Sequence, residues 1–392
     1  MNGVPSRIGR YTVARALGSG GMGEVYLAYS PAGDPVAVKL IRDDRLDPVA
    51  RARFEKEALI ARTVMGTNRV ARFLDADPYA QRPWLAMEYV PGQTLLTQVE
   101  AHGPLPEPLV ASLGALLSEG LAAVHGVGLL HRDLKPQNVM LGQYGPILID
   151  FGLGAFLDSG KDSLAKDGTV IGSVRCMSPE QANGEIKVTS AADVYGLGAV
   201  LLYAATGHYP YEGTQWQTIV GRVANKNHAP DLSALPSSLL PLISGMLAYE
   251  PVDRPTLDSV IVTCGKLIAD AGMSPARARH MLVDLTGSYV PSEDVDDLSP
   301  SLWSRIEAQA QEITQDSAAG ESPLDTPAKT AEVTEPGRTP DFSEESFSAS
   351  STDGLSESTP QEPVPASSLR PPPASTYVAE ELRKQYAMRS TL

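Results

Sequence analysis

The run His131-Arg132-Asp133-Leu134-Lys135-Pro136-Gln137-Asn138 is the feature that most narrows what this chain can become. It follows a long apolar stretch, residues 109–130, and leads to a short apolar strand, 147–149, that ends on Asp150-Phe151-Gly152. Several chemical demands meet in these eight positions. Asp133 is suited to accept or orient the proton of an attacking hydroxyl. Lys135, two residues on, can reach a group in transfer, and Asn138, five residues on, can ligate a divalent cation through its amide oxygen. A carboxylate at a strand end 17 residues after Asp133, Asp150, is placed to hold the same class of cation. Gly152 permits the turn that follows, and Phe151 can pack beneath the site.

Upstream, Gly18-Ser19-Gly20-Gly21-Met22-Gly23-Glu24-Val25 lies between two strand-like runs. Glycines let the backbone approach a polyphosphate and offer it N–H donors. A dinucleotide fold is excluded, because a strand and not a helix follows. Lys39 ends the run Val36-Ala37-Val38-Lys39 and can neutralise phosphate oxygens. Its ammonium needs a carboxylate to fix it. Glu57 in the next helix is the first candidate and Glu55 the second, on a different helix face.

The strand pattern runs from Tyr11 to Ile41 as an antiparallel meander, and 73–74 and 84–87 read as further strands. Asp47 and Pro48 mark a helix start, with Phe54 and Leu59 on its apolar side. Beyond residue 90 the chain reads as mostly helical, with helices expected at 109–127, 191–206, 239–248 and 256–271. Residues 1–283 carry 27 acidic and 25 basic side chains, whereas 284–392 carry 20 and 7. A near-neutral body argues against a nucleic-acid groove. The apolar stretch 109–130 is interrupted by Ser118, Glu119 and His125, and 194–206 is too short to span a bilayer, so both are expected to be core helices. Two cysteines, Cys176 and Cys264, are too few for a disulfide framework. Residues 317–373 are rich in Ser, Thr, Pro and acidic side chains and are expected to be disordered. Two apolar islands flank them: 300–313, with Leu302, Trp303 and Ile306, and 377–388, where Val378, Leu382 and Tyr386 share a helical face.

Together these motifs resemble the eukaryotic-like (Hanks-type) protein kinases, and Leu17-Gly18 through Val25-Tyr26 is most similar to the bacterial serine/threonine branch. The resemblance spans roughly 11–267. It implies an α+β, two-lobed kinase fold: a small antiparallel β lobe with one main helix, a large mostly helical lobe, and a disordered C-terminal tail. The corresponding division is 1–10 as an extension, 11–88 and 89–285 as the lobes, and 286–392 as the tail. It implies ATP contacts from Leu17, Gly18, Ser19, Gly20, Gly21, Met22, Gly23, Val25, Ala37, Lys39, Met87, Glu88 and Val90, with Met87 as gatekeeper and 88–90 as the hinge. Asp133, Lys135, Lys39 and Glu57 are then the catalytic group, and Asn138 and Asp150 the ligands of Mg²⁺ or Mn²⁺.

The resemblance also assigns Gly172-Ser173 to a substrate loop, Ser178-Pro179-Glu180 to the motif paired with Arg254, and Asp193 to support of the catalytic loop. Gly66-Thr67-Asn68-Arg69-Val70 departs from the family pattern, as does Cys176, where tyrosine is usual. Thr169, Ser163 and Ser159 are the expected activation-loop acceptors, with Asp167 beside them. The implied activity is transfer from ATP to Ser or Thr of protein substrates, the protein itself included, in cytoplasmic signalling. No nucleic-acid partner or transmembrane segment is expected. A homodimer and a partner for the 377–388 helix are left open. The rival reading is a catalytically weak nucleotide-binding scaffold acting through its tail.

Overall fold

The computed structural model describes residues 4–20, 23–41, 51, 55, 58, 62–64, 67–150, 174–185, 187–285 and 300–319. Gly21, Met22, Asp47, Pro48, Phe54, Glu57, Leu59, Phe151, Gly152, the acceptors Ser159, Ser163 and Thr169, Asp167, Gly172, Ser173 and the 377–388 segment lie outside the described residues.

Alternating side chains build the first lobe. Strands β1 (Arg7–Ile8), β2 (Tyr11–Gly20), β3 (Gly23–Tyr29), β4 (Pro35–Ile41), β5 (Phe73–Asp77) and β6 (Trp84–Glu88) form one sheet in the order β1-β2-β3-β4-β6-β5. Every pairing is antiparallel. One face buries Tyr11, Val13, Tyr26, Ala28, Val36, Val38, Trp84 and Ala86 together. The other carries Val25, Leu27 and Tyr29, opposite Lys39, Ala37 and Pro35 of β4. Of the helix expected after β4, Arg51, Glu55 and Ala58 are described, and each is helical.

The second lobe is built on helices α1 (Leu95–His102), α2 (Glu107–Gly126), α3 (Pro179–Ala182), α4 (Ala191–Thr206), α5 (Trp216–Val223), α6 (Leu240–Met246), α7 (Leu257–Asp270) and α8 (Pro275–Asp284). The four helices expected here from the sequence are α2, α4, α6 and α7. By length and composition α2 could cross a membrane, but most of it is buried among α4, α7 and α8, as a core helix is. A small sheet, β7 (Gly92–Thr94), β8 (Val139–Gly142) and β9 (Gly145–Leu148), lies at the junction with the first lobe. The departure at 66–70 has a local role: Arg69 and Ala71 bracket a bridge from Val70 to Leu148, with Leu148 N donating to Arg69 O and Ala71 N to Leu148 O.

A last helix, α9 (Pro300–Ala319), differs from the expectation of an apolar island within a largely disordered tail. Leu302 and Ile306 stand four residues apart on one helical face and pack against Leu27 and Tyr29 of β3. The sheet supplies the burial that an isolated segment of this composition lacks.

Candidate active site

The catalytic run sits between α2 and β8, and its shape is set from below by one buried carboxylate. Asp193, in the first turn of α4, is 1% exposed. Its oxygens accept from His131 N at 2.8 Å and Arg132 N at 2.7 Å, and His125 Nε2 lies 2.7 Å from Oδ2. Burial pushes the Asp193 pKa up, but the His125 hydrogen bond and the Arg132 amide help outweigh it, and the carboxyl is held below its usual range. Arg132 has φ +62°, in the left-handed region that a non-glycine residue enters at a cost of roughly 1–3 kcal/mol. The bonds from two successive amides to Asp193 hold that turn. In the sequence His125 is visible only as a polar interruption of an apolar helix; its position in the last turn of α2 places it against Asp193.

On this frame the predicted residues converge. Asp133 Oδ2 lies 2.7 Å from Lys135 Nζ. Asn138 Nδ2 donates to the Asp133 carbonyl at 2.8 Å and to its carboxylate at 3.2 Å. Asn138 O in turn accepts from Ile149 N at 3.0 Å, tying the run to the strand end that presents Asp150. Asp150 also has a left-handed backbone, φ +59°. Lys39 Nζ lies 2.9 Å from Asp150 Oδ2 across 111 positions of sequence, closing the cleft between the lobes. Burial raises the Asp150 pKa, yet the charge and hydrogen bond of Lys39 override it, and the group is held below its usual range. His131, fully enclosed, is driven toward its neutral form by burial.

These residues fit a hard divalent cation. Asp150 is kept ionised, and with Nδ2 of Asn138 turned to Asp133 the remaining polar atom of that side chain is its amide oxygen. Two protein ligands match the habit of Mg²⁺, which keeps water and substrate oxygens in the rest of its shell.

The glycines separate into two kinds. A Cβ on Gly23 would lie 1.9 Å from Leu40 O, and its φ is +155°, so this position needs glycine because β4 passes against it. A Cβ on Gly18 would meet nothing within 4 Å, so no protein contact requires glycine there. Leu17, Gly18, Ser19 and Gly20 extend β2, and Val25 pairs with Lys39 across β3 and β4. Met87 is buried and opposite Ala37, and Glu88 and Val90 follow at the junction between lobes. Glu55, the second candidate partner for Lys39, accepts from Tyr79 Oη at 2.9 Å on the exposed side of the lobe. The first candidate, Glu57, is outside the described residues.

The lower part of the site is anchored by Arg254. Its guanidinium grips Glu180 through two bonds of 2.7 and 2.8 Å and also donates to the carbonyls of Ala191, Ala248 and Tyr249. Gln181, which the sequence did not single out, accepts from Ser178 N at 3.2 Å and donates to Arg132 O at 2.9 Å. The helix bearing Glu180 is thereby fastened to the catalytic run. Cys176 is 4% exposed, and burial pushes its thiol pKa well above the usual value, the reverse of what a reactive thiolate needs.

Comparison with known proteins agrees with this geometry. Residues 11–263 match the protein kinase domain family. The chain is 41% identical over 301 residues to a probable serine/threonine-protein kinase, PkwA, of Thermomonospora curvata, covering 76% of this chain and 39% of that one. It is 42% identical over 252 residues to the serine/threonine-protein kinase AfsK of Streptomyces coelicolor, covering 64% of this chain and 31% of that one. The chain thus spans well under half the length of these relatives. The kinase domain of Mycobacterium tuberculosis PknI, solved as a mutant, superposes with a TM-score of 0.54 at 25% identity, covering 68% of this chain and 99% of that one. With the family match running through both lobes, the chain belongs to the protein kinase family, in the bacterial branch of its Hanks-type serine/threonine members.

Proposed function

We propose that this protein transfers the γ-phosphoryl group of ATP to Ser or Thr hydroxyls of protein substrates, itself included, in cytoplasmic signalling. The observation that carries the reading is the meeting of Lys39 with Asp150, and of Asp133 with Lys135 and Asn138, at one junction between the lobes. Catalysis of this kind rests on positioning and charge neutralisation more than on covalent chemistry. ATP lies beneath the glycine-bearing strands, with its base between Ala37 and the hinge at Glu88 and Val90. Lys39 leaves Asp150 in part to meet phosphate oxygens. Asp150 and the amide oxygen of Asn138 would hold Mg²⁺ or Mn²⁺, and the chemistry such an ion would supply is neutralisation of phosphate charge. Asp133 orients the acceptor hydroxyl and takes up its proton, while Lys135, already on Asp133, moves to the charge that develops on the phosphoryl group.

An Asp133→Ala change tests this. Transfer to protein should fall by about 10²–10⁴-fold, the usual span of general-base catalysis, with binding of an ATP analogue little changed. Transfer at the wild-type rate would overturn the role of Asp133. Analogue binding to a wild-type protein that incorporates no phosphate would favour the scaffold reading.

A further inference from the structure

Helix α9 lies beyond the residues that match the kinase family, yet it packs on the working face of the first lobe. Val25, Leu27 and Tyr29 alternate onto one face of β3, and their cross-strand partners are Lys39, Ala37 and Pro35. Leu302 and Ile306 bury themselves against Leu27 and Tyr29, the direct continuation of the surface that Val25, Ala37 and Lys39 offer to ATP. Tyr89, the hinge residue between Glu88 and Val90, packs against the same cluster. The cluster that seats this helix therefore joins the roof of the nucleotide site to its hinge side.

Polar contacts fix its register. Arg305 donates to Val13 O at 3.0 Å, at the point where the β2–β3 pairing shifts, and to Ser6 O at 2.6 Å. Gln309, itself 4% exposed, bonds the hydroxyl of the buried Thr12 and the carbonyl of Arg10. A side-chain amide buried with both ends satisfied specifies a single docked position. These contacts grip the root of β2, the strand that carries Leu17 through Gly20.

We propose that α9 is a positioning element of the ATP site, with Ile306 and Gln309 setting how β2, β3 and the hinge stand over the nucleotide, so that the working catalytic unit extends to α9. The inference rests on the placement of ATP given above. Among the described residues, the contacts of α9 fall on Ser6, Arg10, Thr12, Val13 and the Leu27–Tyr29 cluster and not on the catalytic run, so its loss acts on ATP affinity and leaves the chemical step alone.

The test uses the full chain. Ile306→Asp and, separately, Gln309→Ala are compared with wild type and with the conservative Ile306→Leu. KM for ATP and kcat are measured on a protein substrate, with binding of a fluorescent ATP analogue alongside. KM for ATP should rise at least about fivefold, the lower end of ordinary site–site coupling, with kcat within about twofold and Ile306→Leu close to wild type. An unchanged KM, or a fall in kcat at unchanged KM as from loss of folded enzyme, overturns the proposal. Should Ile306→Asp fail to fold, Gln309→Ala and hydrogen exchange of the wild type decide. By reciprocity, saturating Mg-ATP must slow exchange of the amides of residues 302–309, and no slowing overturns the proposal. A wild type that transfers no phosphate overturns the function and this inference together; an active wild type with unaffected variants overturns this inference alone.

Discussion

The two walls of the cleft are held by different physics. Below, the catalytic run is strapped by buried, charge-assisted bonds: Asp193 to two successive amides, and Arg254 to Glu180 with both side chains at most 3% exposed. Above, the glycine-bearing strands are held by packing and by partly exposed polar contacts such as Arg82–Glu24 and Arg72–Glu88, each worth ~0–1 kcal/mol. Leu302 and Ile306 add roughly 1.5–3 kcal/mol each by burial. On the proposed function, the wall that would place an attacking hydroxyl is held by buried charge-assisted bonds, whereas the wall that would admit and release a nucleotide is held by smaller terms.

The largest effect that would break this contrast is at Arg254. Arg254→Ala leaves Glu180 buried without its partner and should cost about 3–5 kcal/mol of stability, measured by urea denaturation. A loss no larger than that of an exposed pair would show that the lower wall is not held as described. A smaller, graded effect comes from pH. His131 is kept neutral by burial, its pKa below the ordinary 6.5. The unfolded chain therefore takes up a proton below about pH 6.5 that the folded chain refuses. The contribution is complete above that pH and is lost as pH falls below it, by up to about 1.4 kcal/mol per pH unit for one proton. Asp193, held below the ordinary 3.8, adds a further loss only as the pH falls below that value toward its folded pKa. Melting temperature should thus fall from pH 7 to pH 5 and fall again below pH 4. A flat profile between 7 and 5 would refute the enclosed neutral imidazole.

The smallest effect sharpens the upper wall. Glu55 spends its carboxylate on the exposed Tyr79, so Glu55→Gln should change turnover by less than about twofold and stability by under ~0.5 kcal/mol. A large loss of turnover would make Glu55 the partner of Lys39.

Much of the site was legible because its residues lie close together in sequence. Asp133, Lys135 and Asn138 fall within six positions of one loop, and their mutual bonds follow from that spacing. The strands were legible for the same reason, since alternation is a property of a single strand and needs no knowledge of its neighbours. The short strands β7 and β8 and helices α1, α5 and α8 were not anticipated, being too brief or too polar to show a period, and of β9 only the apolar run at 147–149 was legible. Docking of α9 left only the trace of Leu302 and Ile306 in an acidic tail, while Arg305 and Gln309 left none.

The sequence by itself singled out the carboxylates, lysines and amide on which the proposed phosphoryl transfer rests, and placed them between a strand-rich half and a helix-rich half. Only the tertiary structure decided which side chain answers which. Lys39 meets Asp150 from 111 positions away, Asp193 turns to the amides of His131 and Arg132, and α9 lies on β3. It also divided two glycines that read alike in one motif, Gly23 pressed against the carbonyl of Leu40 and Gly18 with open space where a Cβ would stand. A local pattern records only what a residue's own strand or helix requires. Contacts between elements depend on how distant surfaces pack, and no single segment carries that information.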